Sequence, residues 1–204
     1  MPTGTINVAA SIAGLSIQTT RTRTASGQIS HEVSLPAATA GTLATRTGDD
    51  EGVFTLAGHD LLVNDVIDVY WASGVRYGMK VTAVSGNDVT AGGISGPGAG
   101  DVLPAGDTAV AVGQQVEVDT DFDGDKIEMI MIASTRRGHF DFQNSGGSSL
   151  EAQELRAGEQ WEWCSGVGIT NPLASGVVDV LMVSNGDSSG AATLKMALIY
   201  NSDQ

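Results

Sequence analysis

The feature that most constrains this chain is a two-residue period. In "GQISHEVSLPA", Ile29, His31, Val33 and Leu35 fall on one face and Ser30, Glu32 and Ser34 on the other. In "SGVRYGMKVTAVSGND", Val75, Tyr77, Met79, Val81 and Ala83 oppose Arg76, Lys80 and Thr82. Near the end Leu194, Met196, Leu198 and Tyr200 alternate with Lys195 and Ala197. Successive strand side chains point to opposite faces, so the pattern specifies half-buried strands. Turn sequences such as "SGND", "SNGDSSG" and "FDGD" recur every 8 to 12 residues or so, the spacing of a sandwich or barrel. The chain therefore reads as all-β. In "SSLEAQELRAG" helix and hairpin stay open: Ser148 and Glu151 fit a capping box and Gly158 a stop, but Leu150 and Leu155 are poorly spaced for a helical stripe.

Three regions are expected. Residues 1–48, rich in Thr, Ala, Ser and Gly, read as an extended N-terminal arm that needs a partner surface to order it. Residues 49–118 read as a small β-barrel of short strands, with the Gly-rich "AGGISGPGAGD" as its loosest loop. Residues 119–204 read as a jelly-roll-like β-sandwich, with strands near 126–134, 138–143, 150–156, 159–164, 177–184 and 191–201.

The formal net charge of -14 argues against direct contact with nucleic acid, which requires a basic footprint. The charge is unevenly spread. Residues 1–48 carry Arg21, Arg23 and Arg46 against Glu32, a net +2, which leaves -16 for the rest. Such an asymmetry suits an arm laid on an acidic neighbour. Arg136 and Arg137, in "RRGHFDF", are the other candidate partner-binding arginines: a salt-bridging edge toward a neighbouring chain, or a solvated turn. The N-terminus has neither a basic n-region nor an uninterrupted apolar h-region, so no signal peptide is expected, and no run approaches the ~18 apolar residues of a membrane helix.

Candidate chemistry is sparse. "DTDFDGDKIEMI" places Asp119, Asp121, Asp123 and Asp125 at alternate positions around Gly124, which partly matches a calcium loop. The twelfth position is Ile130 where a bidentate Glu belongs, and the flanks alternate as strands. Two readings stand: a low-affinity calcium site pinning a loop or a subunit junction, or a β-connection at Asp123-Gly124 with its acids in solvent. His139 shares a strand face with Asp141, the best arrangement for general base work; His31 and Glu32 point to opposite faces, and His59 sits at a turn. No nucleophile elbow, zinc-protease motif or phosphate loop is present. The single cysteine, Cys164, excludes an intrachain disulfide and lacks a nearby cation in sequence to activate it. Trp161, Trp163, Tyr70 and Trp71 offer either a sugar platform or core bulk.

At "LAGHDLLVNDVIDVYWASGVRYGMKVTAVSGNDVT" the chain resembles a small β-barrel module of virion proteins of tailed bacteriophages: a Gly-His turn, a strand with an N-D step, then a V-T-A-V strand ending in a polar turn. The terminal "GITNPLASGVVDVLMVSNGDSSGAATLKMALIY" is similar to phage β-sandwiches that pack around a symmetry axis. The resemblance implies a non-enzymatic structural protein of the virion, assembled in the host cytoplasm, without cofactor, and brings no catalytic residue. Capsid decoration or cement ranks first, because a basic arm with compact β domains suits docking across capsomeres of a major capsid protein. A homotrimer is what the resemblance implies. Tail, head-fibre and baseplate components, or a carbohydrate- or receptor-binding module, are the alternatives, and a hydrolase would need His139 and Asp141 in a cleft.

Overall fold

The alternating segments pair as antiparallel strands throughout. The computed structural model describes residues 3–12, 15–24, 27–93, 100–165, 170–174 and 176–201, with side chains from Gly27 onward. The strands are β1 Thr3–Ile12, β2 Leu15–Thr24, β3 Gly27–Leu35, β4 Thr39–Arg46, β5 Glu51–Leu56, β6 Val66–Trp71, β7 Gly74–Ser85 and β8 Asp88–Gly92. They continue as β9 Thr108–Gln114, β10 Val116–Asp123, β11 Ile127–Ser134, β12 Gly138–Gln143, β13 Ser149–Leu155, β14 Gln160–Cys164, β15 Val177–Asn185 and β16 Ala192–Tyr200. One 3-10 turn spans Gly124–Lys126, and no α-helix occurs among the described residues. The protein is all-β, and the segment 149–155, open between helix and hairpin in sequence, is strand β13.

Eight strands form two sheets, β14-β11-β16-β3 and β10-β15-β12-β13. Their pairings are nested: β3 with β16, β10 with β15, β11 with β14, β12 with β13. First pairs with last, second with second-last, so a single antiparallel ribbon folds over on itself, which is the jelly roll. The inner faces carry Ile130, Ile132, Phe140, Phe142, Leu181, Val183, Leu194 and Met196, each at most 1% exposed. Ile29 and Val33 of β3 pack against this core, on the face that their alternation assigns.

Between β3 and β10, the first and second strands of the jelly roll, the chain makes a closed six-strand barrel in the order β4-β5-β8-β7-β6-β9. Leu43, Phe54, Leu56, Ile67, Val69, Met79, Val81 and Val89 fill it, all fully buried. The expected boundaries are corrected accordingly. The arm over 1–48 is not a unit: β1 and β2 form a separate hairpin, β3 belongs to the sandwich and β4 to the barrel. The barrel starts at Thr39 rather than 49 and ends at Gln114, while residue 118 lies inside β10 of the jelly roll. The physical reason is non-local pairing. Leu35 pairs with Ala192, so nothing near β3 in sequence shows that it belongs to the C-terminal sandwich.

The expectation for β7 also fails, at Tyr77 and at Ala83. A register shift between Ile67 and Val69 faces Arg76 and Met79, and Gly78 sits at φ +63, a left-handed backbone that glycine adopts without a Cβ penalty. A second shift between Val81 and Ala83 turns Ala83 outward. Val75, Met79 and Val81 are buried, but Tyr77 faces the jelly roll, where it stacks on His139.

Candidate functional site

The densest polar chemistry lies where the barrel meets the jelly roll. In β6, Ile67, Val69 and Trp71 point into the barrel, so Asp68 and Tyr70 point out of it. In β12, Phe140 and Phe142 enter the jelly-roll core, so His139 and Asp141 point out of that. These outward faces meet, and Asp68 is 0%, Tyr70 1%, His139 2% and Ser184 1% exposed.

Asp68 organises the junction. Its Oδ1 accepts from the Gly78 amide at 2.8 Å and Gln115 Nε2 at 2.8 Å; its Oδ2 accepts from Ser184 Oγ at 2.5 Å and His139 Nδ1 at 3.1 Å. Four donors occupy the acceptor sites of one carboxylate, which is what makes a buried carboxylate tolerable. Because Ser184 donates to Asp68, it accepts from the Tyr70 hydroxyl, 2.8 Å away. The Gly78 amide is free to bind Asp68 because the bulge removes it from the β-ladder.

Arg137 clamps the same junction from its rim. It donates to Glu154 at 2.6 Å, to the Trp71 carbonyl at 3.2 Å and to the Gly74 carbonyl at 3.4 Å, and its guanidinium lies 5.0 Å from the Tyr70 ring centroid. Tyr77 stacks on His139 at 3.9 Å between ring centroids and donates to Glu154 at 3.4 Å. Burial, then the charge of Asp68, pushes the Tyr70 phenol well above its usual 10. Burial, then Glu154 and Asp68, raises Tyr77 likewise.

His139 and Asp141 share a face, as their spacing requires, but they do not work on one another. Asp141 accepts from Gln143 at 2.6 Å and Ser149 at 2.5 Å, whereas His139 turns to Asp68, 71 residues away in sequence. The trio Asp68, His139 and Ser184 does not have the connectivity of a nucleophile relay. There the imidazole stands between carboxylate and hydroxyl; here both groups bind the same carboxylate oxygen, and buried His139 Nε2 has no hydrogen-bond partner among the described residues. Beside the junction an open groove of about 520 Å³ is lined by Ser73, Gly74, Asp101, Arg137, Glu154 and Arg156. Both signs of charge line it, and Arg137 is already committed to Glu154.

The aspartate stretch is a sheet-crossing corner. The β-connection expected at Asp123-Gly124 is present, but it is a crossover and not a hairpin, because β10 and β11 belong to different sheets. Asp119, Asp121 and Asp125 are exposed, and Asp123 accepts from the Asp125 amide at 3.2 Å and lies 3.5 Å from Lys126 Nζ. Among the described residues no three His, Cys, Asp or Glu side chains converge on a metal position. Gly124 is required by packing. Its amide donates to the Gly176 carbonyl, its carbonyl accepts from Asn171, and a Cβ there would strike the Leu173 carbonyl.

The candidate partner-binding arginines divide. Arg21 and Arg23 lie in β2, and their side chains are outside the described residues. Arg46 pairs with Asp49 and the Gly48 carbonyl. Arg136 binds Asp187 at 2.9 Å and Ser189 at 2.7 Å. Hydrogen bonds from Ser189, then Arg136, lower Asp187 to about 2. His59 accepts from the Leu61 amide and its other ring nitrogen meets the Gly86 carbonyl, so it pins two barrel loops. Cys164 is buried, and Trp71 and Trp163 are 8% exposed. The "AGGISGPGAGD" loop falls largely on residues 94–99, outside the described residues.

Sequence reasoning missed Asp68. The signal was present: "VIDVYW" holds one charged residue in an otherwise apolar strand, which demands a buried partner. The fold thus defines an all-β protein in which a six-strand barrel is inserted into an eight-strand jelly roll. No protein-family model matches the chain, and neither a curated protein nor a solved structure is significantly similar to it.

Proposed function

We propose that this chain is a non-enzymatic structural protein of a tailed-phage virion, a decoration or cement subunit that docks on the lattice of the major capsid protein. The observation that carries the reading is the junction. Two β units are held together by a buried network in which Asp68 is fully hydrogen-bonded, which suits a body that bridges neighbouring subunits without bending between its units. The strongly acidic body supports it too, since such a charge keeps free copies apart in solution. A tail, fibre or baseplate position would use the same body on another lattice. A carbohydrate-binding role asks for an exposed aromatic platform, whereas Trp71 and Trp163 are buried and Trp161 packs against the jelly-roll core.

The test is co-sedimentation of the purified protein with phage capsid shells that lack decoration, together with the thermal rupture temperature of those shells. Saturable binding with a higher rupture temperature supports the reading. A protein that stays in the supernatant at every concentration refutes capsid docking.

A further inference from the structure

Loops that cap a barrel are ordinarily polar at their tips. The connection from β5 to β6 is not. Leu61 plugs the barrel core at 6% exposed, and the next two residues, Leu62 and Val63, stand in solvent at 69% and 51%. Val102 and Val177 are exposed too, but singly, as scattered surface aliphatics are.

The backbone holds this pair in place. The Asp65 amide donates to the Leu62 carbonyl at 3.1 Å and the Leu62 amide to Asp65 Oδ2 at 2.7 Å, so the turn Leu62–Asp65 is closed from both ends. Asn64, its third residue, sits at φ +82, as a type II turn requires and asparagine tolerates. The Asn64 amide donates to the Val81 carbonyl at 2.9 Å and the Val81 amide to the Asp65 carbonyl at 2.8 Å, which ties the turn to β7. Gln114 Nε2 donates to Asp65 Oδ2 at 3.0 Å and ties it to β9. Side chains on a turn so fixed lose little backbone freedom when a partner covers them.

Charge decides what kind of partner fits. Beside the tip Asp60 is exposed and Asp65 half-buried, against Lys80, which lies opposite Val66 in the ladder. A second copy would bring the same acids and its own formal charge of -14, so like charges oppose self-association through this tip. The complementary surface is an apolar pocket bordered by cations on a different protein. We propose that Leu62 and Val63 are the plug by which this chain seats in the lattice of the major capsid protein, entering an apolar pocket edged by Lys or Arg. The inference rests on the capsid-docking reading and adds to it the element that docks.

The test is co-sedimentation with phage capsid shells that lack decoration, run for the native chain, the double variant Leu62→Ser with Val63→Ser, Asp60→Lys and, as a control, Val102→Ser. Each substituted side chain is exposed, so urea midpoints equal to that of the native chain are expected. The double variant should bind at least about tenfold more weakly, because buried apolar anchors dominate an interface. Asp60→Lys should bind about threefold more weakly, with the deficit shrinking in about 0.5 M salt, and Val102→Ser should bind as the native chain does. A double variant that binds like the native chain overturns the inference and leaves capsid docking standing, whereas a native chain that stays in the supernatant removes both. Asp60→Lys leaves the hydrogen bonds of the turn untouched, so it reads the tip even where the double variant is destabilised; native-like binding by it would also overturn the inference. So would light scattering that finds the native chain self-associated and the double variant monomeric, since the tip would then belong to a second copy.

Discussion

Replacing Asp68 perturbs the junction at its centre. In Asp68→Ala four donors lose their acceptor: the Gly78 amide, Gln115 Nε2, Ser184 Oγ and His139 Nδ1. Gln115 is half-buried and can turn to water, and the Ser184 hydroxyl can turn toward Tyr70. The Gly78 amide and the His139 imidazole have no such alternative. Each orphaned buried donor costs about 1–3 kcal/mol, and a small cavity adds to it, so the expected loss is about 3–5 kcal/mol. That is a large share of the roughly 5–15 kcal/mol that holds a typical protein folded. Asp68→Asn should cost less, about 1–2 kcal/mol. The amide oxygen can still serve Gly78 and Gln115, and the amide nitrogen can donate to Ser184 and to His139, provided the imidazole moves its proton to the unpartnered Nε2. Urea unfolding followed by tryptophan fluorescence measures both variants, because Trp71 lies in the barrel core and Trp163 in that of the jelly roll. A single transition is expected for the native chain and two separated transitions for Asp68→Ala. An alanine variant within about 1 kcal/mol of the native chain, or an asparagine variant that is the more damaged, would refute the argument.

Alkali should loosen the same junction. Tyr70 and Tyr77 have folded pKa values raised above the ordinary 10, so their contribution is complete below about pH 10. It is lost as pH rises further, at up to about 1.4 kcal/mol per pH unit for buried Tyr70 and less for the partly exposed Tyr77. Urea midpoints from pH 8 to 11 should show a shallower decline in Tyr70→Phe; equal slopes in the two proteins would contradict this. Gly124→Ala should destabilise by about 1–3 kcal/mol, because the new methyl meets the Leu173 carbonyl at a corner fixed by Asn171 and Gly176. A melting temperature unchanged by that substitution would show that the corner yields. Calcium should leave the melting temperature of the chain within about 1 °C, since a shift of several degrees needs a ligand-linked stabilisation of more than 1 kcal/mol. A larger rise that is reversed by chelator would mean that Asp119, Asp121, Asp123 and Asp125 rearrange around the ion.

Local pattern carried a good part of the architecture. The inward faces of β16 and β3, the barrel as a unit and the strands of the C-terminal half follow from alternation and turn residues, because strand periodicity is written in adjacent residues. The bulge at Gly78 was not legible, since a glycine in an alternating run does not announce that the register shifts there. It is this shift that sends Tyr77 to His139 and leaves the Gly78 amide to Asp68.

The sequence by itself determined that the chain is all-β, that Ile29, Val33, Leu194 and Met196 face a core, and that Asp123-Gly124 turns. Tertiary structure alone decided that β3 closes a jelly roll with β16, that the barrel interrupts that roll, and that His139 meets Asp68 rather than Asp141. Alternation fixes which way a side chain points, but strand partners are chosen by burial summed over the whole fold. A pair such as Leu35 and Ala192, or Asp68 and Ser184, exists only once distant faces have closed on each other.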